Sequence, residues 1–511
     1  MHAETDMHPE IAHNEADSQS TGTRQRLRRR GICVIIPTYN NRGTVGDVVR
    51  RTLRQCDDVI VVDDGCTDGT DSILAAIEGI TVVRHSQNAG KGSALRTGFR
   101  KAQQMGFRRA ITLDADGQHY PEDIPLLLEA NIEHPDAIIV GERMNLDSAE
   151  RSGGSKFANA FSNFWFAVQT LHPMRDTQTG YRLYQLDKLH GLRFLTSRYE
   201  AELELLVFSV WHGVKLVSTP VHVYYPPREE RVSHFRPALD FTRISILNTV
   251  LCFLAVLYGV PLTTTRWTLT LLRTLVAASV FITGTIGAIL PATVICHAMN
   301  SDRRTWTLHR LLHAIGRTVC QTILGMLGVK YQVDNPHGET FRKPAMVVCN
   351  HQSVLDIMAM LAQSPRIAIL TKGWVWHNPF FGPALRHAEY YPMQMGMDEL
   401  LPHLRSLVER GYSIAIYPEG TRSADGRIQR FHKGAFELAR QLQLDILPIV
   451  EAAPCRIIPK GSCIMHRGTL RLQYGQRISP DEQARLGDTT AVTKWFRNYY
   501  KEEYAKLEDQ L

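Results

Sequence analysis

The sequence predicts two α/β domains joined by an apolar helical hairpin, and three observations lead to that class. From about residue 31 to residue 235, β-branched runs alternate with stretches of helical spacing. Two long segments near the middle, 244–262 and 275–299, carry no Asp, Glu, Lys or Arg. A second alternation of strand-like and helical runs follows from about residue 305, and 511 residues are enough for two separate cores. The expected organisation is a disordered tail at 1–30, a first domain at 31–235, a membrane-associated hairpin at 236–304 and a second domain at 305–511.

The tail is polar, then Arg-rich (RQRLRRR at 24–30), and lacks the apolar core of a secretory signal. The whole chain has 44% hydrophobic and 21% charged residues, as folded protein does, and a net charge of +7. That charge is spread along the sequence, dense only at Arg24–Arg30 and around the apolar middle. This excludes the concentrated basic face of a nucleic-acid binder and makes a membrane surface the expected acidic partner. Nine cysteines without a C-x-x-C pair indicate free thiols in a reducing compartment.

In the first domain ICVIIP, DVIVVDD, ITVVRH, AITLDAD and AIIVGER read as strands, with TVGDVVRRTLRQ, GSALRTGFRKAQQMG and PEDIPLLLEANIEH as the helices between them. Such alternation predicts a mostly parallel sheet with ligands at the carboxyl ends of its strands. Asp63 and Asp64 close one strand and Asp114 and Asp116 another. Carboxylates there can face a ribose, a base edge or a divalent cation that bridges two phosphates. One member of the Asp63/Asp64 pair can equally cap the turn DDGCTDG. The Gly-rich stretch NAGKGSALRTG at 88–98 fits neither a P-loop nor a dinucleotide fingerprint.

The apolar segments at 244–262 and 275–299 each approach the roughly 20 residues that span a bilayer. Arg228, Arg231, Arg236 and Arg243 precede them, Arg303, Arg304 and Arg310 follow, and only Arg266 and Arg273 lie between. By the positive-inside rule both domains are expected on the cytoplasmic face of a bacterial inner membrane.

Four ordered motifs, VIIPTYNN at 34–41, VVDDGCTDGT at 61–70, TLDADGQH at 112–119 and DTQTGYRLY at 176–184, resemble inverting family-2 glycosyltransferases of the polyprenyl-phosphate sugar synthase type. The resemblance covers about 31–225 and implies a GT-A fold, a nucleotide-sugar donor and Mg2+ or Mn2+. It implies that Pro37, Tyr39 and Asp64, with Asp63 beside it, hold the nucleotide, Asp114 and Asp116 the diphosphate and metal, and Gln118 and Arg143 the donor region. Asp176 is the implied base, with Glu202 and Glu200 as alternatives. Asn41 stands where mannosyl members carry Glu.

The second domain presents a proton-transfer pattern. A hydroxyl attacks a thioester well when a base removes its proton and a carboxylate orients that base. His351 and Asp356 of NHQSVLD supply such a pair directly after the strand-like AMVVCN. His297 and Asp302 have the same spacing but no accompanying motif, and are rejected. YPEGTRS at 417–423 follows the strand-like SIAIYP, which puts Glu419, Gly420, Thr421 and Arg422 where an anionic head group can be held. With FHKGAF at 431–436 and ILPIV at 446–450, this ordered set resembles the lysophosphatidic acid acyltransferase family over about 310–480. The likeness implies a His351–Asp356 dyad, acceptor binding by Arg422, Lys372 and the 419–421 turn, acyl-CoA or acyl carrier protein as donor, and no cofactor. Where that family has an apolar-Asp-Arg element, this chain has YYPMQ at 390–394.

The domain order resembles glycosyltransferase–acyltransferase fusions of aryl polyene lipid clusters, and RVSHFRP at 231–237 resembles their junction. The expected function is a bifunctional membrane enzyme that glycosylates and acylates a lipid or polyene acceptor. The alternatives are a chain with one active domain whose other domain positions lipid substrate, and a non-enzymatic scaffold.

Overall fold

A computed structural model describes residues 22–144, 153–189, 196–225, 237–380, 382–423 and 426–509. The junction-like segment 231–236 and the first 21 residues lie outside them. The chain divides into two compact units, Met1–Arg266 and Trp267–Leu511.

The first unit is built on a seven-stranded sheet. In chain order the strands are β1 (Ile32–Thr38), β2 (Val59–Asp63), β3 (Ile80–Arg84), β4 (Arg109–Thr112), β5 (Ile138–Arg143), β6 (Arg182–Gln185) and β7 (Leu216–Val221). They lie in the order β3-β2-β1-β4-β6-β5-β7, with only β6 antiparallel to its neighbours. Both faces are covered, which is why these strands read as unbroken apolar runs. Ile35, Ile60 and Val62 pack on one face with Leu95, Phe99 and Trp211, while Val34, Ile36 and Val61 pack on the other with Val48, Val49 and Leu127. Parallel pairing of β1 with β2 and β4 brings the loops after Thr38, Asp63 and Thr112 to one edge, so the motif residues converge there.

Residues 22–29 form a helix, so the expected disordered tail does not reach residue 30. Leu27 is 1% exposed within the core, and Arg24 and Arg26 pair with Asp57 and Glu129. One apolar residue in a run of arginines carries no periodicity, and its partners are distant in sequence.

The second unit has a six-stranded sheet. Its strands are β8 (Val329–Asp334), β9 (Ala345–Cys349), β10 (Ile367–Ile369), β11 (Ser413–Ile416), β12 (Asp445–Ala452) and β13 (Gly468–Tyr474), in the order β10-β11-β9-β12-β13-β8. Only β12 and β13 run antiparallel. β9 is flanked by β11 and β12, so the segment after Cys349 and the segment after Ile416 emerge side by side. The C-terminal helix Thr489–Asp509 buries Phe496, Tyr500, Tyr504 and Leu507 at helical spacing, and the Tyr500 hydroxyl donates to Val348 O of β9 at 2.5 Å.

A helical region separates the two sheets in sequence, but it is not a hairpin. Both apolar runs lie on one helix, Thr242–His297, of 56 residues, long and apolar enough to cross a membrane by length and composition. Between them TTTRWTLTLLRT at 263–274 contains no Gly, Pro or Asn to turn the chain. Short π-helical turns at Ala255–Gly259 and Thr285–Ile289 interrupt the α-helical geometry within it.

The packing of the helix Lys91–Gln104 on β1 is testable. A Cβ on Gly98 would come 2.5 Å from Ile35 Cγ2, whereas one on Gly43 meets nothing within 4 Å. In denaturant unfolding Gly98→Ala should cost about 1–3 kcal/mol, and Gly43→Ala about 0.5 kcal/mol or less.

Candidate active sites

At the carboxyl edge of the first sheet the charge is organised around Lys91, a residue that the motifs did not single out. Its Nζ lies 2.7 Å from Asp114 Oδ1 and 2.9 Å from Glu202 Oε2. Burial opposes the ammonium charge, but Asp114 and Glu202 outweigh it and raise the Lys91 pKa. Burial would likewise raise Asp114, yet Lys91, His119 and Arg182 hold it below its ordinary value. The glycines around Lys91 allow this approach. A Cβ on Gly92 would stand 2.3 Å from Ala201 Cβ, so the start of the helix Lys91–Gln104 presses directly on the turn that presents Glu202. Gly180 serves Asp114 in the same way, since a Cβ there would come 2.6 Å from Oδ2. The NAGKG run was the available signal for Lys91.

Asp116 is the less encumbered carboxylate. Among the described residues it accepts only from Gln118 N, at 3.0 Å, and burial followed by the nearby Asp114 raises its pKa. No three His, Cys, Asp or Glu side chains among the described residues form a cation cage. Mg2+ is commonly held by one or two carboxylates with substrate phosphates and water. The pair Asp114 and Asp116 matches that donor set, and their mutual repulsion is what a cation would relieve.

Other expected residues are placed differently. Asp63 caps its turn by accepting from Cys66 N at 2.8 Å and pairs with Arg84 at 2.9 Å. Asp64 accepts from His85 Nδ1, Ala89 N and Gly90 N at 2.7, 2.9 and 2.8 Å, and so fixes the loop that leads into Lys91. Both are buried, and both carboxylates serve the protein rather than an open edge. Asp176 and Arg143, expected as base and donor contact, are instead joined to each other. Arg143 Nε and Nη2 reach the two Asp176 oxygens at 2.6 and 2.8 Å, and Asp176 is 1% exposed. Arg143 N and Gln178 N donate to the same two oxygens at 3.3 Å, so each oxygen is doubly engaged and neither is placed to take a proton. Spacing could not reveal this, because the partners are 33 residues apart. Pro37 is buried, Tyr39 and Gln118 are half-buried at the same edge, and Glu200 is buried with Oε2 unpartnered.

The second unit brings its two main motifs together. His351 Nδ1 meets Asp356 Oδ2 at 2.9 Å, and Gln352 N and Ser353 N donate to the same oxygen at 2.6 and 2.9 Å. This fixes the tautomer with a proton on Nδ1 and leaves Nε2, which has no partner among the described residues, as the acceptor. Glu419 is buried and ties the two loops, accepting from His351 N at 2.9 Å and from Gln429 N at 3.0 Å. Ser423 N donates back to His351 O at 2.8 Å. Glu419 is therefore a brace rather than an acceptor contact. Gly420 and Thr421 are exposed, and Arg422 is half-buried with no partner for its guanidinium among the described residues. Lys460, not expected from sequence, donates to Arg422 O at 2.7 Å and adds a second cation there. Lys372 is exposed at the start of the short helix Gly373–Trp376. His297 and Asp302 do not pair, since His297 lies 3.4 Å from His387 and Asp302 binds Arg410.

Comparison with known proteins finds a different family for each unit. The model of glycosyl transferase family 2 matches residues 33–188, and an acyltransferase family model matches residues 331–451. Over 210 residues the chain is 30% identical to the polyprenol monophosphomannose synthase of Mycolicibacterium smegmatis, covering 37% of this chain and 75% of that protein. Over 135 residues it is 34% identical to the chloroplastic 1-acyl-sn-glycerol-3-phosphate acyltransferase LPAT1 of Arabidopsis thaliana, covering 25% of this chain and 38% of that one. The crystal structure of the 1-acyl-sn-glycerophosphate acyltransferase PlsC from Thermotoga maritima aligns with 20% identity and a TM-score of 0.40, over 48% of this chain and 97% of that one. The chain belongs to glycosyl transferase family 2 through its first sheet and carries an acyltransferase domain on its second.

Proposed function

We propose that this chain is a bifunctional membrane enzyme that transfers a sugar from a nucleotide-sugar and an acyl group from acyl-CoA or acyl carrier protein onto a lipid or polyene acceptor. What supports this reading is that each unit carries its own set of converging groups: Lys91 between Asp114 and Glu202 in one, and His351 on Asp356 in the other. The apolar helix Thr242–His297 supports attachment to a membrane; for both sites to meet a lipid acceptor at the cytoplasmic face of a bacterial membrane, this single helix would lie along that face rather than cross the bilayer once. The relatives named for polyprenol and glycerolipid products point the same way.

In sugar transfer, an acceptor oxygen attacks the anomeric carbon while the bond to the diphosphate breaks. Glu202 takes the acceptor proton, a role that Asp176 cannot fill while Arg143 holds it. Tyr39 and Pro37 line the nucleotide, and Lys91 keeps Asp114 in place. Mg2+ or Mn2+ at Asp114 and Asp116 would neutralise the departing diphosphate. In acyl transfer, His351 Nε2 takes the proton of an acceptor hydroxyl, the oxygen bonds to the thioester carbonyl carbon, and the thiol leaves with the proton that His351 returns. Arg422 and Lys460 hold an anionic acceptor group.

The test follows label from a nucleotide-sugar and from an acyl thioester into lipid. Asp116→Ala and Lys91→Met should each abolish sugar incorporation while acyl incorporation persists; sugar transfer near the wild-type rate in either would refute the assignment.

His351→Ala should lower acyl transfer by about 10² to 10⁴-fold, with Asp356→Asn severely impaired and His297→Ala mild. Retained acyl transfer in His351→Ala would defeat the mechanism.

Arg422→Lys should raise the acceptor KM if a planar fork binds an anion. An unchanged KM would indicate a neutral acceptor.

A further inference from the structure

Behind the dyad lies a group of buried polar atoms that the chemistry above does not use. Asp356 receives three donors on Oδ2 and none on Oδ1, which is buried. Glu451 near the end of β12 is 0% exposed, and neither of its carboxyl oxygens has a hydrogen-bond partner. Its backbone is locked beside the dyad: Asn350, the residue before His351, donates from Nδ2 to Glu451 O and accepts from Glu451 N, each at 2.8 Å. The Glu451 carboxyl interacts with Asp356 and Cys349. The hydroxyl of Tyr417, whose ring centroid is 4.6 Å from that of His351, is also buried and unpartnered.

Two adjacent carboxyl groups in such a space cannot both be anions. Asp356 already has three donors for its charge. Glu451 has only the weak thiol of Cys349 beside it, and burial followed by Asp356 pushes it well above the ordinary carboxyl range. Among the described residues, the groups within electrostatic reach of it are Asp356, Cys349, Cys320 and the phenols Tyr331, Tyr417, Tyr474 and Tyr500, with no cation among them. A buried acid carrying its proton is a hydrogen-bond donor.

We propose that Glu451 is a positioning residue of the acyl-transfer site: as the neutral acid it serves the free Oδ1 of Asp356 and fixes the rotation of that carboxylate, so that Oδ2 stays on His351 Nδ1. The inference rests on reading His351 and Asp356 as the acyl-transfer dyad. It assigns a role to a residue that takes no part in bond making. A donor at Oδ1 also spreads the Asp356 charge over both oxygens, which tempers the field at the imidazole. A neutral amide can do the same, so Gln should replace Glu451, whereas Leu should not.

The test uses the full chain and needs no acceptor. Infrared spectra near neutral pH should show a neutral-acid carbonyl band that is lost in Glu451→Gln. NMR of histidine-labelled protein, with the His351 signal assigned by its loss in His351→Ala, should give the same His351 titration in wild type and Glu451→Gln. In Glu451→Leu the titration should rise by about half a pH unit or more. A purely structural role would leave the His351 titration where it is. No difference in the neutral-acid band between wild type and Glu451→Gln, or an unmoved His351 in a folded Glu451→Leu, overturns the proposal. If Glu451→Leu does not fold, Glu451→Met takes its place in the titration, with the same expected rise and the same overturning result. Acyl transfer retained by His351→Ala would sink the dyad reading instead, and it would leave both spectra unchanged.

Discussion

A carboxylate taken out of water costs several kcal/mol unless cations or backbone N–H groups replace its hydration, and both halves of this molecule are organised by how that demand is met. Asp64 is satisfied by two backbone amides and a histidine, Asp176 by Arg143, Asp114 by Lys91, and Asp356 by two amides and His351. Each compensation is also a positional constraint. Asp64 sets the loop that delivers Lys91, Lys91 brings Asp114 to Glu202, and the amides of Gln352 and Ser353 hold Asp356 where it orients His351. Removing one partner of such a pair strands the other, which typically costs about 3–5 kcal/mol. The chemistry of the sites and the stability of their loops are therefore hard to separate by mutation alone.

The parallel strands explain why these groups meet. In the second sheet β9 lies between β11 and β12, so NHQSVLD, the EGTR turn and Glu451 converge although they span about a hundred residues. In the first sheet β1 stands between β2 and β4, and the same geometry gathers Tyr39, Asp64 and Asp114. Catalytic residues at the carboxyl ends of parallel strands need only short loops to come together.

Strand positions and the His351–Asp356 pair were legible because β-branched runs end where the motifs begin. Side-chain orientation was not. Asp63 and Asp64 stood at the right strand end and Asp176 in its motif, yet their oxygens turn to partners that sequence spacing cannot name. Glu419 likewise reads as a ligand contact and braces the loop from which His351 projects. Lys91 was visible only as a lysine between glycines, whose meaning depends on Ala201, more than a hundred residues later. The helix at 22–29 was hidden in an arginine run for the same reason, because its stability comes from Leu27 meeting a core built by other segments. The hairpin failed differently. Two apolar segments suggest two spans only if something turns the chain, and 263–274 contains no such residue.

The proposed pairing of a glycosyltransferase site and an acyltransferase site on one polypeptide implies a single product that needs both groups. Mass spectrometry of lipid extracts from cells with and without this protein tests that claim most directly. The account predicts a species present only with the protein, heavier than its acceptor by one sugar and one acyl group. Extracts that differ by a sugar alone, by an acyl group alone, or not at all would contradict it.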